Sequence, residues 1–247
     1  MNFRSNSSQI LSFLMFSFVA GLAFARPVFS VEGSDRGLEH RSNLLSSASQ
    51  YREQGLAYRR QARWRESIEA FQKAVELSPQ DVSSHILLGW TLHLNGQDPD
   101  ATRSLLTAVY LKPSSIQAFN ALGIVFLVQG ELPQAILTHT WAVWLKPDNE
   151  IAHYNLSLAY QRQGLYDWSI FHAQRAASLE PDNPHPFVAE SIAYWDSGDR
   201  TAAIEAYRQA TSVDRRYTET AFLDYLKEAG FSPSQIQTSK QVLAASK

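Results

Sequence analysis

Cysteine is absent from all 247 residues, which removes disulfide staples, thiolate metal ligands and thiol nucleophiles together. Charge is sparse as well: Asp, Glu, Lys and Arg make up 19% of the chain, and the formal net charge is −2. A chain so nearly neutral lacks the basic field that holds phosphate backbones, so no nucleic acid is expected as a partner. The patterns that announce catalysis are also missing, with no HExxH, no Walker phosphate loop, no GxSxG, no GxGxxG and no calcium loop. The expectation is a protein that is not an enzyme and that takes no cofactor and no metal. Long apolar runs are lacking too, apart from one near the start. The 45% hydrophobic and 12% aromatic content must therefore be buried by amphipathic elements.

That one run extends from Ile10 to Ala25 without a single charge, preceded by a polar stretch whose only charged side chain is Arg4. It is shorter than the roughly 20 residues a spanning helix needs and suits the apolar region of a secretory signal. Ala23-Phe24-Ala25 offers a small-x-small cleavage site, and Val28-Phe29-Ser30 a second. Residues 1–25 are thus read as a signal peptide, with an uncleaved N-terminal anchor as the alternative. Either outcome exports the rest to a periplasmic or other extracytoplasmic compartment, carrying about −3 of charge because only Arg4 is lost.

Order appears at long range. Pro79, Pro113, Pro147 and Pro181 are evenly spaced along the chain, and each is preceded five residues earlier by an alanine: Ala74, Ala108, Ala142 and Ala176. With each proline as position 32, the units are 48–81, 82–115, 116–149 and 150–183, with a fifth, 184–217, that has Arg215 in place of the proline. Position 8 is small throughout: Gly55, Gly89, Gly123, Ser157 and Ser191. Position 20 is small as well, in Ser67, Ala101, Ala135, Ser169 and Ala203, so two helices can approach closely there. Glycine at position 15, in Gly96, Gly130, Gly164 and Gly198, stops the first helix of units two to five. Unit one has Ala62 instead. Position 24 accepts Phe71, Leu105 and Tyr207 as large core residues but holds His139 and Ala173 in units three and four, so the fourth unit is expected to be the loosest.

A repeat of this length, with its alanine and proline columns, resembles the tetratricopeptide repeat, and specifically the exported bacterial type. The resemblance covers units one to five, 48–217, and implies an all-α fold, a right-handed superhelical solenoid of antiparallel helix pairs, five units long. Residues 26–47 read as a linker and the start of an N-terminal helix near Asn43. Residues 218–247 read as capping helices over the core of unit five, the first stopped by Gly230 and the second opened by Ser232-Pro233.

The resemblance also implies where function lies. In this family the first helix of each pair lines the concave face, mainly through positions 2, 5, 9 and 12. Position 9 is apolar in every unit: Leu56, Trp90, Ile124, Leu158 and Ile192. Positions 5 and 12 add Ile86, Asn120, Tyr154 and Val188, then His93 and Trp195, and Asn155 lies beside them. These residues form the candidate partner-binding groove. The family's carboxylate clamp needs lysine at position 5 and asparagine at position 9 of one unit, a pair found nowhere here. An amphipathic helix or extended apolar peptide of another protein suits such a strip, with Trp90, Tyr154 and Trp195 as anchors. Filling by residues 26–47, self-association, or an acyl chain or other small apolar ligand are the alternatives, as is a regulatory subunit of an enzyme complex.

Two polar clusters remain. Arg59, Arg60, Arg63 and Arg65, with Arg52 nearby, read as a solvated helix end before an anion or lipid-headgroup contact. His85 and His153 at position 4 read as packing residues. His139 and His172 fall on adjacent second helices at positions 24 and 23, without a third ligand to make a metal site.

Overall fold

The computed structural model describes the backbone from Asp35 and the side chains from Asn43, both to Lys247. The expected signal sequence and its cleavage sites lie outside the described residues. One compact unit spans Ala48–Lys247; the chain reaches it through α1 (Asp35–Arg60), which begins well before the expected start near Asn43. Among the described residues no helix is long and apolar enough to cross a membrane.

Among the described residues, nine further α-helices follow α1 before a 3₁₀ segment and a last helix. They are α2 (Trp64–Leu77), α3 (Val82–Leu94), α4 (Asp98–Leu111), α5 (Ile116–Gln129), α6 (Leu132–Leu145), α7 (Glu150–Arg162), α8 (Tyr166–Leu179), α9 (Pro184–Ser197) and α10 (Arg200–Val213). Odd-numbered helices are the first (A) helices of the units, even-numbered ones the second (B). Units two to five pair A with B, each B helix meets the next unit's A helix, and the A helices α3, α5, α7 and α9 also touch in succession. The array is therefore an all-helical solenoid with its A helices on the inner side.

Local rules set the helix ends. The residue before each inner A helix caps it: the side chains of Asp81, Ser115, Asn149 and Asn183 accept from Ser84, Ala118, Ala152 and His185 backbone N–H groups, which satisfies donors the helix cannot. Gly96, Gly130, Gly164 and Gly198 take φ between 72° and 98°, the left-handed region that a Cβ disfavours. Ala62 occupies that region at φ 55° with a side chain.

The small columns work as the sequence implies, but against a different partner. A Cβ on Gly55, Gly89 or Gly123 would lie 2.5–2.6 Å from the side chain of Phe71, Leu105 or His139, so position 24 packs directly over position 8. Position 20 lies close by: Ser67 Oγ donates to the Gly55 carbonyl at 2.8 Å, and Ser169 Oγ to the Ser157 carbonyl at 2.8 Å. Phe71, Leu105, His139 and Tyr207 are all fully buried, each apolar one worth roughly 1.5–3 kcal/mol.

The fourth unit is not left hollow. Ala173 is small there, but Ser157 replaces glycine opposite it, and His172 turns inward to stack on Tyr160 with ring centroids 5.5 Å apart. His172 Nδ1 also lies 2.8 Å from His153 Nδ1. The expected neighbour of His172, His139, sits instead in its own pocket over Gly123.

Beyond α10 the chain forms a 3₁₀ turn, Arg215–Thr218, and a 3₁₀ helix, Thr220–Ala229, where an α-helix was expected. Gly230, at φ 85°, stops it. Ser232 then opens α11 (Pro233–Ala245) with a complete capping box to Gln235. This terminal segment does more than cover the end of unit five, and that determines the site.

Candidate protein-binding cleft

The C-terminal segment folds back onto the A helices. Tyr154 Oη donates to the Ala229 carbonyl at 2.6 Å, and its ring lies 6.1 Å from that of Phe231. Gln235, fully buried, donates from Nε2 to the Leu158 carbonyl at 3.2 Å and to Gln161 Oε1 at 2.8 Å. Trp195 Nε1 donates to Gln241 Oε1 at 3.2 Å, and the Arg200 guanidinium sits 3.7 Å above its ring. Helix α11 packs along α9, and Val188, Leu158 and Ile192 have no exposed surface at all. The apolar strip that position 9 carries along all five units is therefore covered over the fourth and fifth by the chain's own C-terminal segment. Neither residues 26–47 nor a second copy is needed to explain why these apolar residues avoid water: the chain's own C-terminus shields them.

Two of the polar groove candidates are engaged internally. Asn120 exchanges hydrogen bonds with Asn149 at 2.9 and 3.2 Å, which holds the side chain that caps α7. Asn155 is buried and donates to the Ile151 carbonyl at 2.8 Å. Tyr154 is half-buried and still lines the inner concavity, and loss of solvent pushes its phenol well above the usual value.

What remains open is a cleft of about 440 Å³ at the inner face of units two to four. Its floor contains Trp90, Ile124 and Leu127, its rim Leu94, Val128 and Ile151, and its far end is closed by residues 227–230 of the C-terminal segment. Leu94, Val128 and Ile151 are 45%, 50% and 41% exposed, unusually high for apolar side chains grouped on one concavity. His93 lies at the near end, 5.2 Å from the Trp90 ring, with Nδ1 2.7 Å from Asp98 Oδ1. Leu56 and Ile86 are half-buried and do not line the cleft. The sequence reading passed over Leu94 and Val128. Both stand at position 13, one helical turn beyond position 9, and their apolar character in two adjacent units was visible there.

In the first unit three of the five clustered arginines are compensated by carboxylates. Arg52 pairs with Asp81 and Ser49, and Arg63 and Arg65 pair with Glu66 and Glu69. Arg59 is held below its ordinary pKa by burial first and by Arg60 second, and its Nη1 is buried without a partner. Among the described residues no group of three potential metal ligands converges. Burial drives the His139 pKa down to about 3. His172 falls to about 4 through burial and the neighbouring His153, which is itself lowered by burial.

Stacked helix pairs of constant length define a repeat solenoid, a class whose function resides in surfaces. Tetratricopeptide-repeat profiles match residues 52–116, 151–183 and 189–217, and the chain belongs to the tetratricopeptide-repeat family. Solved structures agree in fold. A MamA protein is 25% identical, covers 70% of this chain and 94% of its own length, and superposes with a TM-score of 0.62. MamA from Desulfovibrio magneticus RS-1, residues 41 to the end, is 20% identical over 68% of this chain and 96% of that one, with a TM-score of 0.64. TTC0263, a thermophilic repeat protein of Thermus thermophilus, is 20% identical over 74% and 98%, with a TM-score of 0.57. Among curated proteins, none matches the chain. The fold is thus a right-handed superhelical solenoid of the type that generally serves as a non-enzymatic protein–protein interaction scaffold.

Proposed function

We propose that this protein is a scaffold or assembly factor acting outside the cytoplasm, which captures an apolar or amphipathic segment of another protein in the cleft of units two to four. The observation that carries this reading is the exposed apolar group of Leu94, Val128 and Ile151 around the Trp90 and Ile124 floor. Apolar side chains concentrated in a concavity lower the free energy of the free protein least and of a complex most, and a half-buried tryptophan is the residue type that anchors such complexes. Export rests on the uncharged run Ile10–Ala25, and mass spectrometry of the native N-terminus tests it. A start near Arg26 or Val31 supports processing, whereas an intact Met1 in carbonate-resistant membranes supports an anchor.

The experiment for the cleft is affinity purification from the envelope fraction of the native host, followed by mass spectrometry of proteins and extracted lipids. The reading expects a protein that is retained by the wild type and lost by Trp90→Ala. A second reading, a single acyl chain or similar apolar molecule, is favoured by the cleft's size, which falls within the usual range for small-ligand sites. Co-purifying lipid in place of protein would select it.

A further inference from the structure

The outer side of the array carries an apolar feature unrelated to the cleft. Positions 19, 22, 26 and 29 of each unit form one stripe along the B helix, since they follow the i, i+3, i+7 spacing of a helical face. In unit one the stripe is Glu66, Glu69, Lys73 and Glu76, all ion-paired. In unit three it includes Trp141 and Trp144, and in unit four Trp168 and Phe171, with Arg175 the only charged residue of the stripe across both. Unit two contributes Tyr110 beyond an Asp100–Arg103 ion pair, and unit five returns to Glu205 and Gln209. Trp144 is 67% exposed, Trp168 57%, Phe171 54% and Tyr110 53%. Aromatic side chains present roughly 150–250 Å² each, so this is several hundred Å² of apolar surface on an otherwise polar face.

We infer that this outer face seats on a lipid surface. Three properties point to lipid. First, the residue types are those that settle at the headgroup level of a bilayer, tryptophan and tyrosine, and Lys112 follows Tyr110 by two positions. Second, the rings form two separate pairs, Trp141–Trp144 at 4.9 Å and Trp168–Phe171 at 6.2 Å, and no ring contact joins the pairs among the described residues. A protein interface gathers its anchors into one desolvated patch, whereas a bilayer accepts each ring independently. Third, the A helices touch from unit to unit more closely than the B helices do, so the B side is the convex side, and a convex arc meets a plane at its middle units. The aromatic units are the middle ones.

The test is quenching of tryptophan emission by brominated acyl chains, using the full chain with vesicles of phosphatidylcholine and phosphatidylglycerol at about 3:1. An uncleaved N-terminal apolar run would bring the full chain to vesicles by itself, so the readout has to be specific to these rings. Of the three stripe tryptophans, Trp141 is half-buried against Phe119 and only Trp144 and Trp168 are exposed, so with these two of six tryptophans in contact with acyl chains the wild type should lose about a third of its emission, and Trp144→Ser/Trp168→Ser should lose almost none. Trp90→Ala, in the cleft, should be quenched like the wild type, which separates this surface from the proposed protein-binding site. Trp144→Phe/Trp168→Phe keeps the apolar face and removes the reporters. It should cosediment with the vesicles as the wild type does but without the quenching, and it serves if the serine variant folds poorly by circular dichroism. An unquenched wild type, or equal quenching in the serine variant, overturns the inference. So does sedimentation showing a lipid-free wild-type dimer that the serine variant breaks, which would assign the stripe to a second copy of the chain.

Discussion

The imidazole of His139 lies directly over Gly123, so close that a Cβ on the glycine would stand 2.5 Å from Nε2. The ring is fully buried, and it occupies the position that Phe71, Leu105 and Tyr207 fill in other units. Glycine is required here by proximity, because the backbone of α5 must pass under a ring carried by α6. Gly123→Leu should destabilise the protein by about 1–3 kcal/mol through overpacking. His139→Ala in the same chain should recover part of that loss by vacating the pocket. A double-mutant cycle in urea checks it, and purely additive effects would show that the two residues do not share this space.

The same buried ring makes stability depend on pH. His139 is held at about 3 and His172 at about 4, while an unfolded histidine titrates near 6.5. Both folded values are depressed, so their contribution is complete above about pH 6.5. It is lost as pH falls from there toward the folded values, because the unfolded chain takes up the proton first. Stability should fall by up to about 1.4 kcal/mol per pH unit for each such group. Thermal melts between pH 7.5 and 4.5 should slope downward with acid, and His139→Phe should flatten the slope. A parallel slope in that variant would place the acid sensitivity elsewhere.

Ala62 turns the chain after α1 at φ 55°, in the conformation that four other units give to glycine. A Cβ in that region costs roughly 1–2 kcal/mol, partly offset by the lower chain entropy of unfolded alanine. Ala62→Gly should therefore raise stability by up to about 1 kcal/mol. An unchanged or lower melting temperature would mean that the turn relaxes without penalty.

Gln235 ties the terminal helix to the array through the Leu158 carbonyl and Gln161. Gln235→Leu leaves those acceptors without their partner and should cost about 1–3 kcal/mol. Removing residues 233–247 should bare Val188, Leu158 and Ile192 and produce strong binding of an apolar dye that the full chain lacks. If the truncated protein binds no more dye than the parent, the segment does not shield the fourth and fifth units.

The repeat architecture was legible because it depends on residue size at a fixed period. Small residues at positions 8 and 20 and left-handed glycines at position 15 recur from unit to unit, and no long-range fact is needed to see them. The compensation in unit four was harder to see, because Ser157 and His172 make up for Ala173 only in three dimensions. The site was legible only by half. Position 9 identified Trp90 and Ile124, and the same column identified Leu158 and Ile192, which are equally apolar yet buried. What separates them is a segment much further along the chain, whose Phe231 and Gln235 dock on the inner face. Periodicity cannot show that contact, since the terminal segment stands outside the repeat. The 3₁₀ course of Thr220–Ala229 was likewise hidden, because apolar residues at Phe222, Leu223, Tyr225 and Leu226 fit an α-helical spacing equally well.

The inner face thus has two tryptophans in contrasting states, and comparing them tests the functional reading most directly. Trp90 stands in the open cleft, whereas Trp195 is bonded to Gln241 and covered by Arg200. In a quantitative pull-down of the partner from the envelope fraction, Trp90→Ala should weaken capture by about 1–3 kcal/mol, roughly 5- to 150-fold, at an unchanged melting temperature. Trp195→Ala should lower the melting temperature and leave capture by the folded protein intact. Full capture by Trp90→Ala, with loss of capture by Trp195→Ala, would contradict the account and place the working surface under the C-terminal segment.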